Sequence, residues 1–242
     1  MSLYEIYHRG RKLQKRIISN KNYTYRLLIN LLGTNISDFH NALDIGCGTG
    51  TLDFYLAEKG VNVVGIDISK KAIKIAKTNA KNLNMANKTK FVVSKFPNRK
   101  NFGKFDLVIC TEVLEHLNDD SGAINAIFTS LKKNGVCLFS SPLKSSVLYR
   151  LGMVEKFDKS VGHLRRYEPR QLVSLIVSNG FKIVDTKETQ SLFRDTLFLY
   201  KFGSFFIKMA NHFDFVSDIF NLFDNLLLPL GASDIIILAQ KK

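Results

Sequence analysis

Residues 42–52 read A-L-D-I-G-C-G-T-G-T-L, a short apolar run that leads into three closely spaced glycines. The pattern predicts a buried β-strand, a tight turn at Gly46, Gly48 and Gly50, and a helix directly after the turn. Glycine permits the backbone conformations of such a turn and lets backbone N–H groups approach a ligand closely. A dinucleotide fingerprint would need glycine at position 51, where the chain has Thr51. The stretch therefore predicts a strand–turn–helix ligand site of another kind.

Two acids accompany the glycine loop. Asp44 lies two residues before the first glycine, and Asp67 ends the next apolar run, V-V-G-I-D. A carboxylate at the end of the second strand can accept hydrogen bonds from both hydroxyls of a ribose. The loop and the two acids together favour a nucleoside-type cofactor over a plain structural turn.

The rest of the chain alternates short apolar runs with helix-period stretches, which is typical of a parallel sheet with helices on both faces. We predict an α/β fold with a doubly wound, seven-stranded, mostly parallel sheet and a helical Phe-rich insertion before the last strand. The predicted strands are Ala42–Ile45, Asn62–Asp67, Lys90–Val93, Phe105–Cys110, Val136–Ser140, Phe181–Thr186 and Ile235–Ala239. The predicted helices are Thr51–Glu58, Lys70–Leu83, Ala123–Lys133 and Pro169–Ser178. The predicted parts are a basic helical extension (1–40), a cofactor-binding core (41–189), a cap or lid (190–232) and the final strand (233–242).

The glycine loop and its acids resemble the motifs of the class I S-adenosylmethionine (SAM)-dependent methyltransferases. Their first motif is an acid followed by G-x-G-x-G, as in residues 44–50, and their second is a ribose-binding acid, matched by Asp67. The resemblance implies SAM as cofactor and a Rossmann-like sheet whose last strand is antiparallel. Many members carry an acid near the adenine, where this chain has Ser94-Lys95-Phe96, so Phe96 is expected to supply packing instead. The implied cofactor-binding residues are Asp44, Gly46, Cys47, Gly48, Gly50, Asp67, Ile68, Phe96, Thr111 and Glu112.

A carboxylate–histidine motif, T-E-V-L-E-H, follows the fourth predicted strand. Glu112, Glu115 and His116 stand at i, i+3 and i+4, so we expect them on one face of a helical turn that begins at Thr111. Open α/β sheets bind ligands at the carboxyl ends of their strands. Two carboxylates and an imidazole at such a place can share a divalent ion.

The same string is similar to that of the quinone-precursor O-methyltransferases and of the small-RNA 3′-terminal 2′-O-methyltransferases. In the second group, two Glu and one His join a downstream His around Mg²⁺. The resemblance implies a Mg²⁺ site of Glu112, Glu115, His116 and His163. The alternative is that the acids orient the cofactor pocket and the histidine caps a helix.

The segment that contains His163 reads G-H-L-R-R-Y and also resembles methyltransferases that act on small molecules, sugars or lipid-linked substrates. Arg165 and Arg166 can clamp a phosphate or carboxylate of the acceptor, and Tyr167 can donate to the acceptor or stack on it. The alternative is that the arginines pair with Asp158 or Glu168. The candidate general bases for an acceptor oxygen are His116 and His163.

The composition is that of a globular protein, with 45% apolar and 23% charged residues, and it excludes a disordered chain. The net charge is +14, and its excess lies in residues 1–26 and 69–105. Such a field favours an anionic partner, unless it is only a solvated face. Three cysteines without a C-x-x-C pair favour a reducing compartment. We find no apolar signal core and expect no membrane-spanning segment. We therefore predict a cytoplasmic location, with association at a membrane surface as an open alternative.

Residues 190–232 stand where a hairpin turn would suffice, and they hold nine of the nineteen Phe. The helical spacing of Phe198, Phe202, Phe205, Phe206, Met209 and Phe213 predicts one or two amphipathic helices. One interpretation is a cap packed on the core. The other is a lid over a greasy substrate or a membrane-surface element, with Arg9, Arg11, Lys12 and Lys15 attracting anionic lipid.

Three functions follow from these patterns. The first is a SAM-dependent methyltransferase on a small-molecule or lipid-like acceptor, at oxygen. The second is a metal-assisted RNA 2′-O-methyltransferase, which the basic charge supports and which the lack of an aromatic-interleaved RNA module disfavours. The third is a cofactor-binding, non-catalytic partner subunit. The oligomeric state stays open.

Overall fold

A seven-stranded sheet organises the protein in its computed structural model, which describes residues 13–33, 36, 38–97, 102–200 and 202–242. Its strands are β1 (Asn41–Ile45), β2 (Asn62–Asp67), β3 (Thr89–Val93), β4 (Phe105–Thr111), β5 (Leu131–Pro142), β6 (Phe181–Thr189) and β7 (Asp234–Lys241). The strand order is β3-β2-β1-β4-β5-β7-β6, and β7 runs antiparallel to both of its neighbours. The predicted fold class is therefore confirmed, including the antiparallel last strand.

Helices cover both faces of this sheet. They are α1 (Arg26–Leu32), α2 (Thr51–Glu58), α3 (Lys70–Asn82), α4 (Asp120–Ser130), α5 (Val147–Arg150), α6 (Glu155–Val161), α7 (Pro169–Ser178), α8 (Leu192–Leu199), α9 (Gly203–His212) and α10 (Asp214–Leu227). Short 3₁₀ turns occupy Leu114–His116 and Leu228–Leu230. One apolar cluster packs α4 and α7 on the sheet, and another packs α1 and α2 on it.

Local capping explains where the helices begin. The Ser69 hydroxyl accepts from the Ala72 N–H at 3.1 Å and starts α3. The Asp119 carboxylate accepts from the Gly122 N–H at 2.8 Å, so α4 begins three residues earlier than the predicted Ala123. Pro169 stands at the first position of α7, as predicted, because its missing N–H costs nothing there.

The Phe-rich region differs from expectation, and the predicted N-terminal extension is described only in part. Arg9, Arg11 and Lys12 of the basic extension lie outside the described residues. The part of 13–40 that is described forms one helix, α1, which buries Leu27 and other apolar side chains against the sheet. Residues 190–232 form three helices instead of one or two, because the helical conformation is interrupted near residue 200 and again at Phe213.

The topology also determines which residues meet. The carboxyl ends of β1, β2, β4 and β5 share one edge because these strands are parallel. Strand β7 starts at that same edge, since it is antiparallel and pairs Asp234 with Pro142. No helix in the described ranges is long and apolar enough to span a bilayer.

Candidate functional site

The glycine loop takes backbone conformations that glycine favours. Gly46, Gly48 and Gly50 have φ of +78°, +55° and +84°. A Cβ on Gly46 would stand 2.6 Å from Val113 Cγ2, and one on Gly50 would stand 2.8 Å from Phe91 Cζ. The loop is held to β2 because the Gly46 and Cys47 N–H groups both donate to the Ile66 carbonyl. These contacts explain why the turn needs glycine at its first and third positions.

Asp67 ties the loop to the start of α3. One carboxylate oxygen accepts from the Gly48 N–H at 2.9 Å, and the other accepts from the Ser69 N–H at 2.7 Å. Each oxygen keeps a second lone pair for a ligand hydroxyl. Ile68 beside it is 48% exposed, so it can pack against a bound ring. The predicted ribose site is thus built on one carboxylate that also orders the loop.

We expect Asp67→Ala to weaken SAM binding by about 1.5–3 kcal/mol, or roughly 10- to 150-fold in Kd. The change removes the acceptor for a ribose and also releases the two N–H groups that Asp67 now holds. Calorimetric titration with SAM measures the effect. Asp67→Asn is the matched control, since it keeps one oxygen, and it should lose less. Unchanged affinity in a folded Asp67→Ala protein would contradict the assignment.

A buried pair of acids, Asp44 and Asp53, lies beneath the loop. Their side chains are 5% and 0% exposed. The two side chains share a hydrogen bond with each other. Burial raises the pKa of Asp53 to about 7, and burial together with Asp53 raises the pKa of Asp44 well above its usual value. The two carboxyls therefore share a proton, a feature of the predicted cofactor residue Asp44 that the sequence did not reveal.

This pair predicts a pH-dependent stability. The folded pKa of Asp53 is about 7, above an unfolded value of about 4, so the native state holds the extra proton. Below about pH 4, Asp53 is protonated in both the folded and the unfolded protein and changes the free energy of unfolding little. As the pH rises from about 4 through 7, the unfolded protein loses this proton more readily, so the free energy of unfolding falls. We expect Asp53→Asn to flatten that fall and to raise the melting temperature at pH 8.

Thermal melts followed by circular dichroism at pH 5 and pH 8 test this expectation. Glu58→Gln is the control, because Glu58 is an exposed acid of the same helix, α2. A wild-type protein whose pH profile is the same as that of Asp53→Asn would contradict the buried-pair interpretation.

The other predicted cofactor residues lie around the same edge. Cys47 is almost fully buried within the loop, and Phe96 packs against the central apolar cluster, as expected for a packing role. Thr111 is the last residue of β4 and pairs with Ser140 of β5. Their contacts with a cofactor stay predictions.

Glu112 departs from the predicted helical face. Its φ is +55°, a left-handed conformation, and the 3₁₀ turn starts only at Leu114. The i, i+3, i+4 rule assumes a helix throughout, so the expected common face of Glu112, Glu115 and His116 is wrong. Glu112 instead accepts from the Ser140 hydroxyl at 2.8 Å and shares a hydrogen bond with Asp234.

Glu115, His116 and His163 do come together, although 46 residues separate the two histidines. One donor atom from each lies within 4.8 Å of the others. A backbone hydrogen bond links the two segments, since the Leu164 N–H donates to the Glu115 carbonyl at 2.8 Å. Glu115 is fully buried; its Oε2 accepts from the Ser141 hydroxyl, and its Oε1 has no hydrogen-bond partner among the described residues.

Hydrogen bonds at Nδ1 set the tautomer of each histidine. His116 Nδ1 lies 3.0 Å from the Gly162 carbonyl oxygen, and His163 Nδ1 lies 2.9 Å from Asp158 Oδ1. Because both partners are acceptors, each Nδ1 carries the proton and Nε2 carries the lone pair. His163 Nε2 stands 3.9 Å from Glu115 Oε1. Two ring lone pairs and one carboxylate oxygen thus converge.

Asp158 is the support of this arrangement. It holds His163 and also accepts two hydrogen bonds from the Arg166 guanidinium, both at 2.8 Å. Burial alone would raise the pKa of Asp158, but the bonds from His163 and Arg166 outweigh it and lower the pKa to about 2. Asp158 stays ionised at neutral pH and keeps the proton on His163 Nδ1.

The predicted acceptor-binding residues take other positions. Arg166 is 8% exposed and pairs with Asp158, and Arg165 pairs with Asp120 and donates to the Asn118 carbonyl. The structure therefore favours the pairing alternative over an acceptor clamp. Tyr167 is fully buried and its hydroxyl donates to Asp120 at 2.8 Å, so the prediction that it touches the acceptor is wrong.

Asp234 and Gln190 are site residues that the sequence reading missed. Gln190 donates to Asp234 Oδ2 at 2.5 Å, and burial followed by Glu112 and Glu115 raises the pKa of Asp234 well above its usual value. The available signal was the antiparallel last strand, because its first residue must lie at the edge where the parallel strands end.

The chemistry of Glu115, His116 and His163 suits a divalent cation. Metal-binding histidines commonly donate their second N–H to a carboxylate or a backbone carbonyl, as both histidines do here. Burial, then the neighbouring Glu112, raises the pKa of Glu115 well above its usual value, so its buried carboxyl needs a proton or a cation. Glu115, His116 and His163 therefore fit a cation, and Glu112 is not a member of this set.

Comparison with known proteins places these features in context. A family model described as a methyltransferase domain matches residues 16–186. The ubiquinone biosynthesis O-methyltransferase of Colwellia psychrerythraea is 33% identical over 150 residues, 59% of this chain and 61% of that protein. The Pelagibacter ubique protein of the same name is 38% identical over 112 residues, 46% of each chain. This chain thus spans about half to three fifths of the length of these curated relatives.

A solved structure agrees on the fold. The magnesium protoporphyrin IX methyltransferase from Synechocystis, solved with bound SAH, superposes with a TM-score of 0.63 and 19% sequence identity. The superposition covers 99% of this chain and 93% of that chain. At this identity the likeness supports the architecture of the sheet and its helices.

Proposed function

Because the chain belongs to the methyltransferase domain family, we propose that it transfers a methyl group from SAM to an oxygen of a small-molecule or lipid-like acceptor. The observation that carries the proposal is the position of the Glu115, His116 and His163 cluster. It follows β4, the strand beside β1, and β1 leads into the glycine loop. A cofactor cradle and a set of proton acceptors thus share one edge of the sheet. The relatives, named as ubiquinone biosynthesis O-methyltransferases, favour a quinone-type acceptor oxygen.

The chemistry asks two things of the protein. Methyl transfer from a sulfonium is an in-line displacement, which needs alignment and an acceptor oxygen that can lose its proton. The loop and Asp67 supply the alignment. Burial lowers the pKa of His116, so its ring is neutral at neutral pH and its Nε2 can take a proton. The hydrogen bond to Asp158 orients the His163 ring for the same role.

A divalent cation fits the same three residues. Glu115 Oε1 and the Nε2 atoms of His116 and His163 would hold it, and a bound cation would lower the pKa of an acceptor hydroxyl. The expected ion was Mg²⁺, but Mg²⁺ prefers oxygen donors. Two imidazoles suit Mn²⁺, Co²⁺ or Zn²⁺ better. We therefore expect one of these ions to support turnover at least as well as Mg²⁺.

Transfer of a labelled methyl group from SAM tests the function. The protein is incubated with a lipid extract, with a set of catechol- and phenol-bearing small molecules, or with RNA, and the products are separated by mass. We expect label in the lipid or phenol fraction.

Label in RNA would favour the 2′-O-methyltransferase alternative, which the groove lined by Lys70, Lys74 and Lys77 supports. SAM binding without label in any fraction would favour the non-catalytic subunit.

A further inference from the structure

Helix α10 leaves most of its apolar residues in solvent, although Val216 and part of Phe220 pack inward. Its apolar stripe faces solvent: Phe215, Leu222 and Leu226 are 66%, 68% and 70% exposed, with Ile219 and Phe223 between them. Its polar residues Ser217 and Asp224 are 0% and 2% exposed and face the protein. Surface helices normally bury the apolar stripe, because apolar area in water is unfavourable. The stripe continues on α9 and on the residue before it, since Phe205, Phe206 and Phe202 are also exposed. We call the stripe and these three rings the aromatic face.

Ion pairs and a hydrogen bond engage the acidic residues of α10. Asp224 pairs with the buried Arg194 at 2.9 Å, and Asp218 pairs with Lys21 and Arg26 at 3.0 and 2.9 Å. Asp214 accepts from the Ser19 hydroxyl. The three acids of α10 are thus engaged by Arg194 and by residues 19–26. Ion pairs with Arg194, Lys21 and Arg26 offset the charges of Asp224 and Asp218, which lowers the repulsion between this helix and an anionic surface.

Basic residues border the aromatic face. The Arg16 guanidinium donates to the Asn211 and His212 carbonyls at the end of α9, and the exposed Lys15 stands next to Arg16 in the chain. Lys208 is exposed on α9 itself. The same N-terminal strip reaches the lysine-rich helix α3, since the Gln14 N–H donates to Asn79. The margin therefore has the sign that attracts an anionic surface.

We propose that the aromatic face docks on an anionic lipid bilayer, with its rings in the interfacial layer and the basic margin against the headgroups. A contiguous exposed apolar patch of this kind marks an interaction site. Exposed aromatics with adjacent cations suit a bilayer surface, and the helices of the described chain are too short to cross it. The proposal does not depend on methyl transfer.

Docking here would bring the bilayer close to the site. Helix α10 runs into the 3₁₀ turn at Leu228–Leu230, and Asp234, which contacts Glu112, follows four residues later. The Leu230 carbonyl accepts from Arg150, which fastens that end to the segment that leads from β5 toward His163. An acceptor dissolved in the bilayer would thus reach the catalytic edge from the docked side.

Co-sedimentation with vesicles tests the proposal in the absence of SAM. The vesicles contain either phosphatidylcholine alone or phosphatidylcholine with about a third phosphatidylglycerol. We expect binding to the anionic vesicles, at least tenfold weaker binding to the neutral ones, and loss of most binding in 0.5 M salt, because salt screens the basic margin.

The combined variant Phe215→Ser, Leu222→Ser and Leu226→Ser should fold normally, since these side chains are mostly exposed, and bind at least tenfold more weakly. Val177→Ser with Val184→Ser is the matched control, because both are exposed apolar residues away from this face, and it should bind as the wild type does.

Two results would overturn the proposal. One is equal vesicle binding by the wild type and the triple-Ser variant, with circular dichroism showing both folded. The other is a wild type that does not bind anionic vesicles. If sedimentation then shows a dimer that the triple-Ser variant does not form, the face contacts a second copy of the chain instead. Neither result bears on SAM binding or methyl transfer, so the two proposals fail separately.

Discussion

Glu115→Gln should lower methyl transfer on the order of 100-fold or more while SAM affinity stays within about threefold. Glu115 is the one carboxylate of the convergent set, and its Oε1 has no hydrogen-bond partner among the described residues. A glutamine keeps the shape but loses the charge that a divalent cation requires. The loss of several kcal/mol of charge stabilisation in the transition state accounts for the expected factor. The Asp67 region is untouched, so cofactor binding should persist.

Metal content and chelation complete this test. We expect the wild type to carry a divalent metal by mass spectrometry, to lose activity in excess chelator, and to regain it with Mn²⁺, Co²⁺ or Zn²⁺. Ser141→Ala is the control variant, because it removes only the hydrogen bond to Oε2 and should cost far less activity. Full activity in chelator would reject the metal. The site would then retain only the histidines as general bases, and His163→Asn should remove activity.

Asp224→Ala should destabilise the protein by about 3–5 kcal/mol, because it strands a buried guanidinium. Asp224 accepts from Arg194 Nε at 2.9 Å and from the Ser191 N–H and hydroxyl, and both charged side chains are nearly inaccessible. Arg194 also lies 4.0 Å over the Tyr23 ring and donates to the Tyr23 carbonyl. The loss should lower the melting midpoint by about 10 °C. Circular dichroism is the suitable probe, since the chain has no Trp.

Two further variants separate charge from packing at this ion pair. Asp218→Ala removes an exposed partner of Lys21 and Arg26 and should leave the midpoint nearly unchanged. The double variant Arg194→Met with Asp224→Leu removes both charges and should recover most of the lost stability. A double variant as unstable as Asp224→Ala would show that the packing of these two side chains, and not the uncompensated charge of Arg194, stabilises the contact between α8 and α10.

Much of the cofactor half of the site could be predicted because its signals are local. Gly46, Gly48 and Gly50 are adjacent along the chain, and the turn they form depends on backbone freedom that glycine carries anywhere. Asp67 ends β2, and because β2 lies beside β1 and runs parallel to it, the end of β2 must lie next to the loop that follows β1. The Asp44–Asp53 pair was not predictable, because Asp53 is buried only through the packing of α2 on all sides.

The catalytic half was less predictable because its contacts are distant in sequence. The motif T-E-V-L-E-H drew attention to Glu115 and His116, which do lie beside His163, but helical spacing misplaced Glu112, whose backbone is left-handed. His163 was named on resemblance, yet its role depends on Asp158, which folds back on it through the turn at Gly162. We expected Arg165, Arg166 and Tyr167 to contact the acceptor, but all three donate hydrogen bonds to Asp120 or Asp158 of the same chain.

By itself, the sequence determined the order of strands and helices, the glycine loop and the acid that follows it, since periodicity and backbone preference act over a few residues. It also determined that residues 190–232 are helical and amphipathic. Only the tertiary structure decided which side of α10 faces inward. Periodicity shows that a helix has an apolar and a polar face. Which of the two faces packs against the protein depends on the side chains that the rest of the fold presents to it. Here Arg194, Lys21 and Arg26 engage Asp224 and Asp218 of α10, and Phe215 and Phe223 are left facing outward.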